Sequence, residues 1–466
     1  MVSQQESPSG TDQLRRDFAL FDLVTLSLSS IGPVFSVMAA GAVLLVDSGG
    51  HVIWLIGLAA IPFVSSSFIF RLLNQHFPDV GASYHWCRKV LGVRMSRFQS
   101  WIIVVAYFVS IPPIILPAAN YTLGLLRLNW DHNRMVLTLA ISAWVMVVGF
   151  ILTRRSGVMA RVTTTLLALE LVGVLILVTT GIIRWPVLHV ATVLPPVRPA
   201  GIFAALVISA TIMDGWEIDS YASGESKRPL RDPGIAAIIG LSAAVCIYMA
   251  LFWLMAHELP HVQWAQANPF QGWTRRLDPG MNVVGIIAAL ASTVGSLWLT
   301  TFILARALFV MGRDGLLPRE LFSVNRQGTP SYAITVILIP AWLVVIAEIW
   351  TLSLARIIGV VLAIAGFFLI MEFFLDSLTA TVFLLKRHQT LLPHHAFHGH
   401  QTMKFVAIVT TGVWIIFLVG FLWYGPRMVS PSIDWVIGIV LVVGLLFALT
   451  DRRTTQEDRR SRLTHS

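Results

Sequence analysis

Long apolar runs recur along the entire chain and are separated by short polar stretches. Each run is long enough for a membrane-spanning α-helix, which needs about 20 mostly apolar residues. A membrane β-barrel would instead show short segments of alternating polarity. We therefore predict an all-α polytopic membrane protein with twelve transmembrane helices. They are expected at residues 20–46, 52–73, 98–125, 135–153, 162–184, 201–223, 234–256, 281–310, 331–350, 355–386, 404–424 and 433–450.

Two short polar stretches break the first and the sixth of these runs. The first is Ser29–Pro33 and the second is Met213–Glu217. Gly32 permits unusual backbone angles and Pro33 has no amide N–H, so the helical hydrogen bonds must open there. Inside a bilayer the released backbone groups must face protein, water or a ligand. A Gly-Pro kink in a packed helix would leave the same pattern, but two breaks at corresponding places indicate a shared central cavity.

The breaks divide the chain into two similar halves. Each half starts with its broken helix and holds five predicted helices, at 18–185 and 201–388. Because five is an odd number, the second half crosses the membrane in the opposite sense, which makes a five-plus-five inverted repeat with broken helices 1 and 6. Helices 11 and 12 follow at 404–450, and polar tails at 1–17 and 451–466 flank the whole.

The basic residues predict the orientation. The chain is 56% hydrophobic and only 12% charged, with a net charge of +9. Such a charge can indicate nucleic-acid binding, but 24 of the 33 lysines and arginines fall on one side of the predicted topology, in alternate loops and the tails. This bias is the positive-inside pattern. We expect a multi-pass protein of the cell (plasma) membrane with both termini in the cytoplasm and no nucleic-acid partner.

Three features of the loops add detail. The inner loop His76–Arg97 mixes apolar and basic residues, as a short interfacial helix does. Cys87 and Cys246 fall in an inner loop and in a span, so we expect no structural disulfide. A later loop carries four histidines without an acid or thiol at a fixed spacing, which favours a loop that holds no metal. The four are His394, His395, His398 and His400.

Acidic residues give the second break its chemistry. Asp214, Glu217 and Asp219 fall within six residues, and an ionised carboxylate at mid-bilayer costs on the order of 3 kcal/mol. They need a partner or a water-filled cavity, unless the helix ends early and leaves Glu217 and Asp219 at the inner interface. Released carbonyls and carboxylates together suit an ammonium group. Gly215 allows close approach, and Trp216 can close over a ligand.

Polar residues in other runs are secondary candidates. Glu170 lies among apolar residues and is a candidate either for proton coupling or for a hydrogen-bonded structural role. Glu372 and Asp376 stand one turn apart on one helix face, and we favour a structural role for both. Trp298 is a candidate gating residue at the cavity, with packing as its alternative. Three hydroxyl residues of the eighth run favour helix packing over Na⁺ binding. They are Ser292, Thr293 and Ser296.

The chain resembles the amino acid–polyamine–organocation (APC) superfamily of secondary transporters. The resemblance covers nearly the whole sequence and rests on four stretches. These are Ser29–Pro33; Pro-Asp-Val-Gly-Ala-Ser-Tyr at 78–84; Gly215-Trp216-Glu217 with Gly-Glu-Ser-Lys-Arg-Pro at 224–229; and Arg-Asp-Gly-Leu-Leu-Pro at 313–318 with Thr329–Pro330.

The resemblance implies the LeuT/APC-type fold, in which the substrate binds the unwound backbones of helices 1 and 6. On the residues of this sequence, the substrate carboxylate would face Ser29, Ser30, Ile31 and Gly32. The amine would meet the carbonyls of Met213, Asp214 and Gly215. Glu217 matches an acid that many relatives carry after the glycine of helix 6, and it would sense or move protons.

Two departures from the family pattern add negative charge near the expected cavity. Asp214 stands where relatives usually have an uncharged residue, and Glu170 stands where many relatives have lysine. Both favour a cationic substrate, such as a polyamine, a basic amino acid or another organic amine, over a neutral amino acid.

The leading hypothesis is a secondary active permease that moves amino acids or related organic amines by alternating access. A polyamine or other organocation carrier is the alternative, and a channel is the rival from a different class, which would need pore-lining rings from an oligomer. No phosphate-binding loop, zinc-protease motif or nucleophile elbow is found, so we expect neither an enzyme nor a cofactor. The sequence leaves open H⁺ coupling, Na⁺ coupling and exchange. The expected partners are a small-molecule substrate and the lipid bilayer, with the oligomeric state open.

Overall fold

A computed structural model describes eight stretches of the chain. These are residues 14–49, 51–126, 133–190, 199–266, 268–351, 354–387, 400–428 and 430–450. Their regular secondary structure is helical, apart from one parallel bridge between Phe18 and Ser226. The prediction of an all-α fold is therefore confirmed. His394, His395, His398 and most of both predicted tails lie outside the described residues.

The α-helices follow one another through the whole described part of the chain. They are α1 (Leu20–Ile31), α2 (Pro33–Ser48), α3 (Val52–His76), α4 (Ala82–Val90), α5 (Val93–Ser110), α6 (Pro112–Leu125), α7 (Arg134–Leu152), α8 (Ser156–Leu188), α9 (Pro199–Thr211), α10 (Ile218–Tyr221), α11 (Asp232–Glu258), α12 (His261–Trp264), α13 (Pro269–Leu277), α14 (Met281–Arg313), α15 (Ser331–Thr351), α16 (Leu354–Val382), α17 (His400–Met428) and α18 (Ile433–Leu449).

Ten of the described segments are long and apolar enough to cross a membrane. Two of them, α1–α2 and α5–α6, each consist of two consecutive helices, interrupted at Gly32 and before Pro112. The sixth predicted run is split into α9 and α10, and α18 is apolar but 17 residues long. A polytopic membrane protein with broken first and sixth runs is thus confirmed. Twelve as the number of spans stays a prediction.

Several helices extend beyond the apolar runs. α5 begins at Val93 although the apolar pattern predicts a start at 98, and α8 covers Ser156–Leu188 where the pattern predicts 162–184. The added residues include Arg94 and Arg161, whose long side chains can reach water while their helices continue. Hydropathy therefore predicts the apolar part of each helix better than it predicts where the helix begins and ends.

α1, α2 and α14 form the centre of the bundle. α1 contacts α8, α11 and α14, and α2 contacts α9 and α14. Small residues allow the close packing, since a Cβ on Gly173 of α8 would lie 2.8 Å from the Cβ of Ala288 on α14. α7 and α17 expose large apolar side chains such as Phe150 and Phe405. The two broken segments therefore lie inside the bundle, and α7 and α17 lie outside, where lipid would contact them.

One end of the bundle carries α4 and an ionic network of Asp79, Arg88, Arg313 and Asp314. Arg88 pairs with Asp314, and Arg313 donates to Asp79 at 3.0 Å and to Asp314 at 3.1 Å. Burial lowers the pKa of His85 below its ordinary value of 6.5, although Asp79 lies 3.7 Å away. We name this end of the bundle the basic end. α4 is a short helix within the loop where the sequence predicts one, and its position at the membrane interface stays a prediction.

A buried ion pair ties four segments together at the basic end. Arg306 Nε donates to Glu225 Oε1 at 2.9 Å, and the two side chains are 1% and 0% exposed. Ser156 donates to the second carboxylate oxygen of Glu225. The guanidinium of Arg306 lies 3.6 Å from the centre of the Phe302 ring. The backbone N–H of Phe18 donates to the carbonyl of Glu225 at 3.0 Å. The start of α1, the start of α8, the stretch after α10 and α14 are therefore joined at this point.

Candidate functional site

The first break places two released carbonyls beside α14. Gly32 ends α1 with φ of +58°, in the left-handed region that favours glycine. A Cβ on Gly32 would lie 3.1 Å from the Cβ of Ser296. Ser296 Oγ donates to the carbonyl of Ser30 at 2.9 Å, and Ser36 Oγ donates to that of Ile31 at 3.0 Å. Hydroxyl groups thus satisfy the carbonyls that the break releases.

Neighbouring helices cap the first amide groups of α2. Pro33 has no N–H, Val34 N donates to Glu170 Oε1 at 3.0 Å, and Phe35 N donates to Ser292 Oγ at 3.0 Å. Glu170 is 1% exposed. A carboxylate is stabilised at a helix N-terminus by the free amides and by the helix dipole. Glu170 therefore supplies, from within the protein, an acceptor oxygen for the free N–H of Val34 at the start of α2.

Gly215 brings the second break against the first. Its φ is +115°, and a Cβ there would lie 2.8 Å from both Ile31 N and the carbonyl carbon of Ser30. Only glycine combines this backbone angle with so close an approach. The N–H of Gly215 donates to Glu217 Oε2 at 2.9 Å. The two broken helices therefore touch backbone to backbone, and Glu217 fixes the turn between α9 and α10.

A cavity of about 60 Å³ lies where the two breaks meet. Residues of α1, α2, α5, α6, α9, α14 and α16 line it together with the second break. They are Ser30, Ile31, Phe35, Ser36, Ser110, Ile114, Thr211, Asp214, Gly215, Ser296, Thr300, Ile303, Ala365, Gly366 and Leu369. Among these described lining residues Asp214 alone is ionisable, and its Oδ1 makes no hydrogen bond to the described part of the chain.

The cavity collects four of the predicted binding residues, Ser30, Ile31, Asp214 and Gly215. The others lie near it without lining it. Gly32 shapes the turn, and the buried Ser29 packs so closely against α14 that a Cβ on Gly295 would collide with Ser29 Oγ. Met213 is 0% exposed within the second break. Substrate contact by each of these residues stays a prediction.

The two predicted aromatic residues are both buried and do not line the cavity. The Trp216 ring lies edge-on to Phe70, with ring centres 4.8 Å apart, and it stacks on Phe373 at 5.5 Å. It anchors the second break to α3 and α16. Trp298 is 1% exposed. Glu217 also points away from the cavity, since its Oε1 accepts a hydrogen bond from the Tyr107 hydroxyl at 3.0 Å. The predicted roles of Trp216 and Trp298 around a ligand stay untested.

Sequence reasoning missed the contributions of α2, α5, α6, α9 and α16 to the lining. A signal for Ser110 and Ile114 exists, because Pro112 and Pro113 stand in the middle of an apolar run and interrupt its hydrogen bonds. A signal for Gly366 is weaker. A Cβ there would collide with the side chain of Thr211 on α9, a contact that only the packed structure reveals.

Comparison with known proteins agrees with this architecture. The sequence model of the amino acid permease family matches residues 18–447. The matched range includes both breaks, all the residues that line the cavity, and the network at the basic end.

Proteins that are similar to the chain over much of its length are named as amino acid transporters. The branched-chain amino acid permease BcaP of Bacillus subtilis is 22% identical over 349 residues, which cover 70% of this chain and 73% of that protein. The L-methionine/branched-chain amino acid exporter YjeH of Escherichia coli is 25% identical over 282 residues, covering 60% and 62%. The chloroplastic cationic amino acid transporter 9 of Arabidopsis thaliana is 26% identical over 345 residues, covering 68% and 58%. Since the family model spans both broken helices and nearly the whole chain, the chain belongs to the amino acid permease family of the APC superfamily, which are multi-pass membrane transporters.

Proposed function

We propose that the chain carries an amino acid across the cell membrane by alternating access, with the substrate held in the cavity between the two breaks. The contact of Gly215 with the backbone of Ser30 and Ile31 supports this most directly, because it brings both interrupted helices to one cavity. Carriers built from inverted repeats bind their substrates at such discontinuous helices near the bilayer midplane. The halves 18–185 and 201–388 would each supply one of them.

Asp214 is the proposed partner of the substrate amine. It is the ionisable residue among the described lining residues, and an ammonium group would satisfy its free Oδ1. The hydroxyls of Ser110 and Thr300 now bond to carbonyls of their own helices, at 2.7 and 2.9 Å, and can rotate towards a substrate carboxylate. Apolar side chains form much of the rest of the lining. They are Ile31, Phe35, Ile114, Ile303, Ala365 and Leu369.

This lining suits an amino acid with a branched aliphatic side chain. A cationic substrate is the second candidate, and the observation that favours it is the free Oδ1 of Asp214. Glu170 does not line the cavity and already binds the N–H of Val34. A preference for a second positive group on the substrate therefore depends on Asp214 alone, and the α-ammonium of any amino acid can neutralise that one carboxyl.

The cavity must enlarge during the transport cycle. Its volume of about 60 Å³ is far below the ~300–1,000 Å³ of typical sites for small-molecule ligands. The lining helices must therefore separate to admit the substrate. We propose that the basic end, with its ionic network of Asp79, Arg88, Arg313 and Asp314, is the closed cytoplasmic side, and that both termini lie there.

Counterflow in proteoliposomes tests the proposal. Vesicles loaded with unlabelled L-leucine are expected to take up radiolabelled L-leucine in a saturable manner, and L-methionine, L-lysine and putrescine serve as competitors. Asp214→Asn should weaken apparent affinity about 10–150-fold, since a hydrogen bond to a charged group contributes about 1.5–3 kcal/mol. Asp434→Asn on α18 is the matched control, because Asp434 also has a buried oxygen without a partner, and it should leave uptake unchanged.

Two outcomes would contradict the proposal. Uptake that neither saturates nor shows counterflow would indicate a channel. A ligand at about 100 times its Kd adds about 2.7 kcal/mol of stability. If none of the four compounds raises the thermal stability of the wild-type protein, binding in the cavity is refuted. Strong competition by L-lysine or putrescine, with weak competition by L-methionine, would select the cationic substrate.

A further inference from the structure

A line of buried acids and hydroxyls starts directly behind the cavity. Glu217 is 0% exposed and lies between the second break and α5. Its Oε2 accepts from Gly215 N at 2.9 Å, and its Oε1 accepts from the Tyr107 hydroxyl at 3.0 Å. The carboxyl of Glu217 also interacts with that of Asp214. One side of Glu217 is thus in contact with the segment that lines the cavity, and the other side is in contact with Tyr107.

Two tyrosines connect Glu217 with an acid on α16. The Tyr221 hydroxyl donates to Glu372 Oε1 at 2.7 Å. The rings of Tyr107 and Tyr221 meet edge-on, with their centres 6.0 Å apart. The Tyr107 hydroxyl donates to Glu217, and the carboxyl of Glu372 lies close enough to act on it electrostatically. Tyr107 therefore stands between two carboxyls on different helices.

The line continues to the basic end. Asp376 follows Glu372 by one helical turn, and its Oδ2 accepts from Ser83 Oγ at 2.8 Å. Ser83 belongs to α4, the same helix that carries Arg88 of the ionic network. The sequence of contacts from Glu217 to Ser83 thus runs from the central cavity to the helix that closes the basic end.

Among the described residues, no cation pairs with the acids of this line. Glu217, Glu372 and Asp376 are all 0% exposed, and no ion pair between described residues includes them. The titratable or polar groups around them are acidic or neutral. They are Asp214, Asp219, Tyr107, Tyr221, Ser83 and Cys87. Ionised carboxylates so placed would repel one another strongly inside the membrane.

Two carboxyl oxygens of this line are free to accept a proton. Glu372 Oε2 and Asp376 Oδ1 are buried, and neither has a hydrogen-bond partner among the described residues. Free buried oxygens also occur on Glu258 and Asp434, so a proton path is supported by the continuity of the line. Oxygens left free on two carboxyls one turn apart, with no ion pair among the described residues, are suited to bind a proton and to pass it on.

We propose that Asp376, Glu372, Tyr107 and Glu217 conduct a proton between the basic end and the acid at the cavity, and so couple transport to the proton gradient. In the central step Glu372 gives its carboxyl proton to the Tyr107 oxygen, while Tyr107 gives its own hydroxyl proton to Glu217 Oε1. One O–H bond breaks and one forms at Tyr107, and no electron is transferred. Tyr221 acts as a positioning residue that holds Glu372. This inference rests on the proposed function, because it assumes that the cavity binds the substrate.

Glu372→Gln and Tyr107→Phe test the line while keeping side-chain volume. With a pH gradient of one unit and radiolabelled L-leucine, the wild-type protein should accumulate substrate about tenfold for one proton per substrate, and both gradient polarities are tried. Both variants should show about onefold accumulation and retain counterflow, since exchange needs no net proton movement. Glu258→Gln and Tyr121→Phe are the matched controls and should accumulate substrate like the wild type. Glu258 accepts from Trp273 at 2.6 Å, outside the line.

The outcomes separate this inference from the proposed function. If the wild-type protein shows no counterflow, the proposed function is refuted. The proton line is overturned if Glu372→Gln and Tyr107→Phe show counterflow and still accumulate substrate along the pH gradient as the wild type does. It is also overturned if the wild-type protein accumulates no substrate under either pH gradient. If Glu372→Gln does not fold, Asp376→Asn replaces it. Infrared spectra between about pH 5 and about pH 9 give a second readout without substrate. The wild-type spectrum should contain a protonated-carboxyl band that is missing from the spectrum of Glu372→Gln. An unchanged band in Glu372→Gln would also overturn the proposal.

Discussion

Replacing Gly215 by alanine tests whether the two breaks must touch. Alanine at φ of +115° is strained by about 1–3 kcal/mol. The new Cβ would lie 2.8 Å from Ile31 N and from the carbonyl carbon of Ser30. Both atoms belong to the backbone and cannot rotate away, so overpacking adds about 1–3 kcal/mol. We expect the variant to lose about 4 kcal/mol of stability in all, near the middle of the combined range.

Two further glycines separate strain from steric contact. Gly315 has φ of +73°, and a Cβ there would meet nothing within 4 Å, so Gly315→Ala should show strain alone, about 1–2 kcal/mol. Gly412 lies within α17 and is equally open. Gly412→Ala should stabilise the helix by about 0.5–1 kcal/mol, because alanine loses less backbone entropy.

Thermal unfolding in detergent provides the measurement. For a chain of 466 residues, an unfolding entropy of about 2.1 cal/mol/K per residue converts 1 kcal/mol into a Tm change of about 1 °C. Gly215→Ala should therefore lower Tm by about 4 °C, and Gly315→Ala by about 1–2 °C. Counterflow should fall only in Gly215→Ala, because α1 is displaced from the cavity. Equal Tm and equal counterflow for these two variants would refute the reasoning.

Three more predictions concern the basic end. Arg306→Met should lower the free energy of unfolding by about 3–5 kcal/mol, because Glu225 is left buried without its partner. Adding Glu225→Gln should restore most of this stability, as measured by thermal unfolding. A double variant that is no more stable than Arg306→Met would contradict this prediction. Because burial lowers the pKa of His85, the unfolded chain binds its proton more readily, so stability is complete above pH 6.5 and declines below it. His85→Gln should flatten that decline in Tm, and parallel curves would speak against it. Arg88→Gln should loosen the ionic network and expose the buried Cys87 to maleimide. The labelling is measured in protein that lacks Cys246. An unchanged rate of Cys87 labelling would contradict this prediction.

The sequence predicts the architecture well because the bilayer restricts the choices. Unsatisfied backbone groups are costly in lipid, so apolar runs of this length must be helices. For the same reason the stretches at Gly32 and Gly215 could be recognised as breaks, and both have positive φ in the structure. α4 could also be expected from its mixture of basic and apolar residues. These features depend on local composition, which a single sequence contains.

The direction of each side chain in a break could not be predicted. Asp214 and Glu217 are three residues apart, which in a regular helix would place them on one face. In the irregular segment Asp214 lines the cavity while Glu217 turns back to Gly215 N and Tyr107. Trp216 likewise packs on Phe373 of α16. Without a helical period in this segment, the sequence offers no rule for these orientations.

The partner of Glu170 shows the same limit for an intact helix. The sequence identifies a lone acid in an apolar run, with no sign of what it contacts. In the structure α8 packs against α1 and α14, and the carboxyl of Glu170 meets the N–H of Val34 at 3.0 Å. The contact joins residues 136 positions apart, and it exists because Pro33 leaves the start of α2 uncapped by its own chain. Only the packing of α8 determines that this acid fills that position.

α4 links the closure of the basic end to the proposed proton line. It is a helix of nine residues, short enough to move as a rigid unit. Ser83 near its start binds Asp376, and Arg88 near its end binds Asp314. A rigid-body movement of α4 away from Asp314 would therefore also shift Ser83 relative to Asp376. Water that enters at the opened basic end would then meet a carboxyl that has just lost its hydroxyl partner. In the proposed proton line, proton exchange at Asp376 would therefore be confined to the part of the transport cycle in which the basic end is open, which is the condition that coupling requires.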